Sequence, residues 1–406
     1  MTPEQLLATI EEIRPVDRKA MQAAAQRQDS LAKPPGSLGG LENIAIRMAA
    51  VTGRVIPEEG APGKGCVIVF CADNGVVDQG VASAPQSVTR AQTINFTRRL
   101  TGVGALARSY GSELLIVDMG VKDPIPPRLY DSIPLRDTHR IVDRRIRPGT
   151  RDIAKGPAMT EDEALQAIAA GMEMSRSAAR AGFGILGVGE MGIGNTTTSA
   201  AVLSAITGAS AEETCGRGGG LNDSGFMKKQ AIVDAIRAEF VSENVSACAQ
   251  CRTENDPAEE CTASLPERFS RIVHILSRCG GFDLAAMTGA YLGAAAERIP
   301  VVIDGYISVV AALAAAEVLP DAADFMFASH VSAEPGYALA MQKLAGCSPG
   351  LKPFLSLDMR LGEGSGCPIA FEVIRGACDV MRNMATFREA EINDDYLEEV
   401  RAGGCF

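Results

Sequence analysis

The chain has 406 residues, 46% of them hydrophobic, and a formal net charge of −11. That length can bury roughly three quarters of the unfolded surface, whereas the acidity argues against tracking a nucleic-acid backbone, which needs a basic field. Aromatic residues are only 5%, with no Trp, so the core must be built from Ala, Val, Ile, Leu and Met.

The N-terminal stretch MTPEQLLATIEEIRP lacks the basic-then-apolar order of a signal peptide. No apolar run reaches the length of a membrane span, so no membrane partner is expected and the cytoplasm is the expected location. Residues 1–50 read as helices, interrupted by the rigid turn KPPGSLGGLE (33–42). CVIVFCAD (66–73) is the first of six continuously apolar β-type runs and leads into a long loop, ADNGVVDQGVASAP. ELLIVDMG (113–120) is the second run, followed by a helix over 160–181 that opens on a Thr160/Glu163 capping box. FGILGVGE (183–190) precedes a helix over 195–207; helices over 283–297 and 306–318 then flank VVIDG (301–305). DFMFAS (324–329) and FLSLDM (354–359) complete the six. Runs apolar on both faces, alternating with helices, predict an α/β fold: a Rossmann-like, doubly wound, mostly parallel six-stranded sheet with helices on both faces.

The two ends, 1–55 and 365–406, are expected to pair into a small helical domain beside a large α/β domain over 56–364. Segment 245–266 is polar and acidic and reads as an inserted loop. It carries Cys248, Cys251 and Cys261, with Cys279 beyond; their spacing is irregular for zinc, so incidental thiols in a solvated insertion are the better reading. Eleven scattered cysteines, an odd number, fit free thiols in a reducing compartment. His139 and His274 read as structural; His330 stands at a strand end within reach of a site.

In such sheets ligands sit beyond the carboxyl ends of the strands, and there glycines and polar residues crowd. GVGEMGIGNTTTSAAV (187–202) ends a strand, turns on glycine and starts a helix with Asn195 and Thr196, a ready anion site. The P-loop lysine is absent, and Glu190 beside the turn adds a carboxylate. RLGEGSG (360–366) places Glu363 between two glycines ahead of an apolar helix, so that the backbone approaches a ligand closely. GRGGGLNDSGFMKKQ (216–230) offers flexible backbone around Gly218, with Lys228 or Lys229 able to fold back as a cation for a phosphate. An oxidoreductase reading lacks a GxGxxG after the first strand.

Taken in order, KPPGSLGGLE, ADNGVVDQGV, GVGEMGIGNTTTSAA, CGGFDLAAMTGAYLGAA, PVVIDGYISVVAALAA, SHVSAEPG and LDMRLGEGSG resemble the nicotinate-nucleotide:dimethylbenzimidazole phosphoribosyltransferase family, over about residues 1–387. The resemblance implies a homodimer, with nicotinate mononucleotide and a benzimidazole-type base as substrates. It puts the general base on Glu363 and a second carboxylate on Glu190. It puts phosphate and ribose contacts on Gly192, Gly194, Asn195, Thr196, Gly218, Lys229 and Ser332, and the base pocket on Ala84, Gln92, Met191, Leu361 and Gly362. Asn74 departs from the usual ADHG, and Ala84 and Met191 stand where some members have Ser and Leu, which would resize the base pocket.

The implied chemistry needs one carboxylate. The pyridinium leaves ribose C1′ as a neutral ring, so no general acid is required, while the incoming base must lose its ring proton. No metal or organic cofactor is expected.

Overall fold

The computed structural model describes residues 2–251, 263–393, 395 and 397. Its centre is a seven-stranded sheet in the order β3-β4-β2-β1-β5-β6-β7, with every neighbouring pair parallel. The strands are β1 (Gly65–Ala72), β2 (Glu113–Gly120), β3 (Tyr130–Asp131), β4 (Ile141–Asp143), β5 (Ile185–Met191), β6 (Val301–Ile303) and β7 (Met326–Ala328). All residues of β1 and β5 are buried, as strands covered on both faces demand.

Two differences from the sequence-based strands have physical reasons. FLSLDM forms no strand: Leu355 makes only an isolated parallel bridge to His330, and Leu357 is 52% exposed. Apolar content suggested a strand there, but the segment has no second covering layer. At the opposite edge β3 and β4 add two short strands, too brief and too flanked by charge to stand out.

The helices Glu161–Arg180, Asn195–Thr207, Phe282–Ala296 and Tyr306–Val318 form as expected, the first with its Thr160/Glu163 capping box. The helix Asp223–Cys251 runs into the segment read as an inserted loop, because SENVSACAQC has neither Gly nor Pro to stop it. The next helix, Leu265–Cys279, begins at a Ser264/Glu267 capping box. The side chains of Cys248 and Cys251, and all of Cys261, lie outside the described residues. Cys279 is fully buried.

Helices from both ends pack beside the sheet. The segments meet directly at an antiparallel bridge between Leu31 and Thr386. Arg47, on the helix Gly40–Thr52, is 5% exposed and donates to the carbonyls of Ala323 and Met326 (3.2 and 2.9 Å) and to Ser348 Oγ (3.0 Å). These bonds anchor an N-terminal helix to the β7 edge. The helix Gly366–Asn383 lies against β1 and β5, where Phe371 faces Gly65 and Cys367 faces Gly187. KPPGSLGGLE is a turn closed by Lys33 Nζ to Glu42 Oε1 at 2.8 Å. Among the described residues, no helix is long and apolar enough to cross a membrane.

Candidate active site

The strand order reverses between β1 and β5, and doubly wound sheets open their ligand crevice at that point. A cavity of about 350 Å³ lies there. Its walls come from residues 81–84 after β1, 190–196 at the end of β5, 304–308 after β6, 330–334 after β7, and the 217–219 and 360–363 turns.

The 360–366 turn carries the first carboxylate. Gly362, Glu363 and Gly364 have φ of 82°, 64° and 81°, a left-handed run that two glycines make affordable. Glu363 is 4% exposed. Its Oε1 accepts from Gln92 Nε2 at 3.0 Å and its Oε2 from the Val103 N–H at 3.4 Å. Val103 is in the first turn of the helix Gly102–Tyr110, whose positive end faces the carboxylate. Burial raises the Glu363 pKa above its ordinary value, while the N–H of Val103, the Gln92 amide and the N–H of Gly102 pull it back. A carboxylate so balanced suits a proton acceptor near neutral pH.

Asp304, just past β6, holds this turn in place. It is 2% exposed, and its two oxygens accept the Gly364 and Gly366 N–H groups at 3.0 and 2.7 Å. Burial pushes its carboxyl up to about 7, against the pull of those N–H groups. From the other side the turn rests on β5: a Cβ on Gly189 would collide with the Gly364 backbone and come within 2.6 Å of the Glu363 carbonyl carbon. Glycine at 189 is what allows the contact.

Glu190 supplies the second carboxylate, 8% exposed. Its Oε1 lies 2.5 Å from the point a Cβ on Gly362 would occupy, so the two carboxylate-bearing segments touch. Burial first, and neighbouring Asp283 second, push Glu190 up to about 8; Asp283 itself is pushed up to about 6 by burial. Asn195 Nδ2 bridges them, donating closely to Glu190 Oε2 and at 3.1 Å to Asp283 Oδ2. Asn195 opens the helix Asn195–Thr207 directly after Gly194, whose φ is 94°. Within this turn the Ile193 N–H donates to Thr89 Oγ1 and the Asn195 N–H to the Gly192 carbonyl.

Of the residues expected at the site, Ala84, Gln92, Glu190, Met191, Gly192, Gly194, Asn195, Thr196, Gly218, Ser332, Leu361, Gly362 and Glu363 all line this one cavity. Lys229 stands one layer behind it. Its Nζ, almost fully buried, donates to the Gly216 carbonyl at 2.8 Å and to Thr196 Oγ1 at 3.1 Å. Burial lowers its pKa. The cations on the wall itself are Arg217 and Arg360. Sequence reasoning overlooked Arg217, Asp283 and Asp304, although DG after a strand and GGFD before an apolar helix mark the same sheet edge. His139 and His274 lie elsewhere, the first with Nδ1 2.9 Å from the Thr97 carbonyl and the second stacked edge-on 5.7 Å from Phe240.

The chain is also similar to known proteins. A family model described as phosphoribosyltransferase matches residues 13–392. A nicotinate-nucleotide–dimethylbenzimidazole phosphoribosyltransferase of Clostridium perfringens is 45% identical over 391 residues, covering 96% of each chain. One of the same name from Acetivibrio thermocellus is 42% identical, covering 97% of this chain and all of its own. The crystal structure of CobT from Thermus thermophilus superposes with a TM-score of 0.76 at 35% identity, covering 93% of this chain and 99% of its own.

Proposed function

The chain belongs to this phosphoribosyltransferase family, and we propose that it transfers the 5-phosphoribosyl group of nicotinate mononucleotide to 5,6-dimethylbenzimidazole or a related base. The products are α-ribazole 5′-phosphate and nicotinate, in assembly of the cobalamin nucleotide loop. The observation that carries this reading is the Glu363 carboxylate, buried yet facing the cavity and held by Gln92 and Val103.

On this reading the base lies against Ala84, Gln92, Met191, Leu361 and Gly362, with its ring N–H directed at Glu363. As its other ring nitrogen attacks C1′, the C1′–pyridinium bond breaks, the bonding electrons neutralise the departing ring, and Glu363 takes the base's proton. Attack from the opposite face converts the β linkage to α. Glu190, against Gly362, orients the turn that carries Glu363 or, in its ionised form, stabilises positive charge that develops on the ribose. The 192–196 turn, Gly218 and Ser332 hold the phosphate and ribose, with Lys229 supporting the turn from behind through Thr196. Fixing both rings in line supplies on the order of 7–11 kcal/mol of the barrier. A homodimer, a cytoplasmic location and the division into 56–364 and a helical unit from 1–55 plus 365–406 belong to the same reading; the Leu31–Thr386 bridge between the two ends supports the last.

The test is nicotinate release from nicotinate mononucleotide with and without the base. Transfer requires base-dependent release and α-ribazole 5′-phosphate as product; base-independent release would make the protein a hydrolase instead. Glu363→Gln should keep nucleotide binding and lose at least about 10²-fold in turnover. Near-wild-type turnover would remove Glu363 from its role.

A further inference from the structure

His330 follows β7 and is 2% exposed, with its backbone carbonyl accepting the Tyr337 hydroxyl at 2.6 Å. Its Nδ1 lies 2.9 Å from Ser329 Oγ. That hydroxyl has one hydrogen, donated to the Asp304 backbone carbonyl at 3.0 Å. Ser329 Oγ therefore accepts from the ring, and Nδ1 carries the hydrogen. The Asp304 carboxylate, 3.9 Å from Nδ1, is beyond hydrogen-bond reach. Burial lowers the His330 pKa, so the ring is neutral and Nε2 holds a bare lone pair.

That lone pair faces the ligand space. Nε2 is 3.6 Å and Ser332 Oγ 3.8 Å from the point a Cβ on Gly305 would occupy, and all three residues line the cavity. On its other side the ring is clamped, since even a Cβ on Gly366 would collide with Nδ1. A fixed, neutral acceptor selects a neutral donor. A phosphate or carboxylate offers it none, and the ring proton of the incoming base is taken by Glu363. The donors that remain on nicotinate mononucleotide are its ribose hydroxyls.

We propose that His330 Nε2 accepts a hydrogen bond from a ribose hydroxyl of the nucleotide, so that His330 selects a ribonucleotide over its deoxy forms. This rests on the nucleotide being the substrate, as argued above.

Calorimetric titration of the full chain with nicotinate mononucleotide and its 2′-deoxy and 3′-deoxy analogues tests it. Wild type should bind the ribonucleotide on the order of tenfold more tightly than one of the analogues. In His330→Phe that ratio should collapse to near one. His330→Asn keeps a polar group beside Ser329 but is too short to reach the cavity, and should collapse the ratio too; it serves if the Phe variant does not fold. Equal binding of all three ligands by wild type, or an unchanged ratio in either variant, overturns the proposal. Nicotinate release is followed alongside: intact nucleotide binding without base-dependent release would sink the transferase reading and leave the ribose contact standing.

Discussion

Glu363 is held in a conformation that costs an ordinary residue about 1–2 kcal/mol, with φ of 64°. The bonds from the Gly364 and Gly366 N–H groups to Asp304 offset that cost and fix where the side chain points. A proton acceptor must be ionised, and burial has raised this one's pKa. Activity should therefore climb with pH through a midpoint above the usual carboxylate value of about 4.3. Gln92→Leu removes the donor 3.0 Å from Oε1 and should move that midpoint to higher pH, read from kcat/KM against pH. A shift to lower pH would contradict the role given to Gln92. Glu363 and Glu190 were legible in the sequence because glycines surround both, and Glu190 stands at the carboxyl end of an apolar run. Asp304 and Asp283 were not, because which N–H or amide an aspartate holds is decided by distant segments: Gly364 is 60 residues from Asp304, and Asn195 is 88 from Asp283.

At the scale of elements, β5 does two jobs. Its apolar residues fill the sheet, and its glycines at 187 and 189 give room to the helix and turn that carry Glu363. Gly189→Ala should push the Glu363 turn off the strand, lowering kcat and destabilising the fold by about 1–3 kcal/mol, as overpacking does. Steady-state kinetics with denaturant unfolding would show it; unchanged values in both would mean the turn does not rest on β5. The long buried strands were readable because runs of seven or eight mostly apolar residues have few other uses. β4, three residues long, and β3, two, carry no such signal; they exist because β2 offers an edge to β4 and β4 offers one to β3. FLSLDM fails in the opposite sense, apolar by composition but without a layer to cover it.

For the molecule as a whole, burying several carboxylates makes stability depend on pH. Glu190, Asp283 and Asp304 are raised to about 8, 6 and 7. The folded protein thus keeps protons that the unfolded chain releases near pH 4. The resulting stabilisation is complete below about pH 4 and lost as pH rises through those three values. Scanning calorimetry of the ligand-free protein should give a Tm that falls from about pH 5 to pH 8, and Asp283→Asn should flatten the fall. A Tm that rises across that window would refute this sign. The closeness of Glu190 to Gly362 has a further consequence. A side chain introduced at position 362 would have to displace the Glu190 carboxyl or lift the turn that carries Glu363, so this one glycine sets the spacing of the two acidic groups.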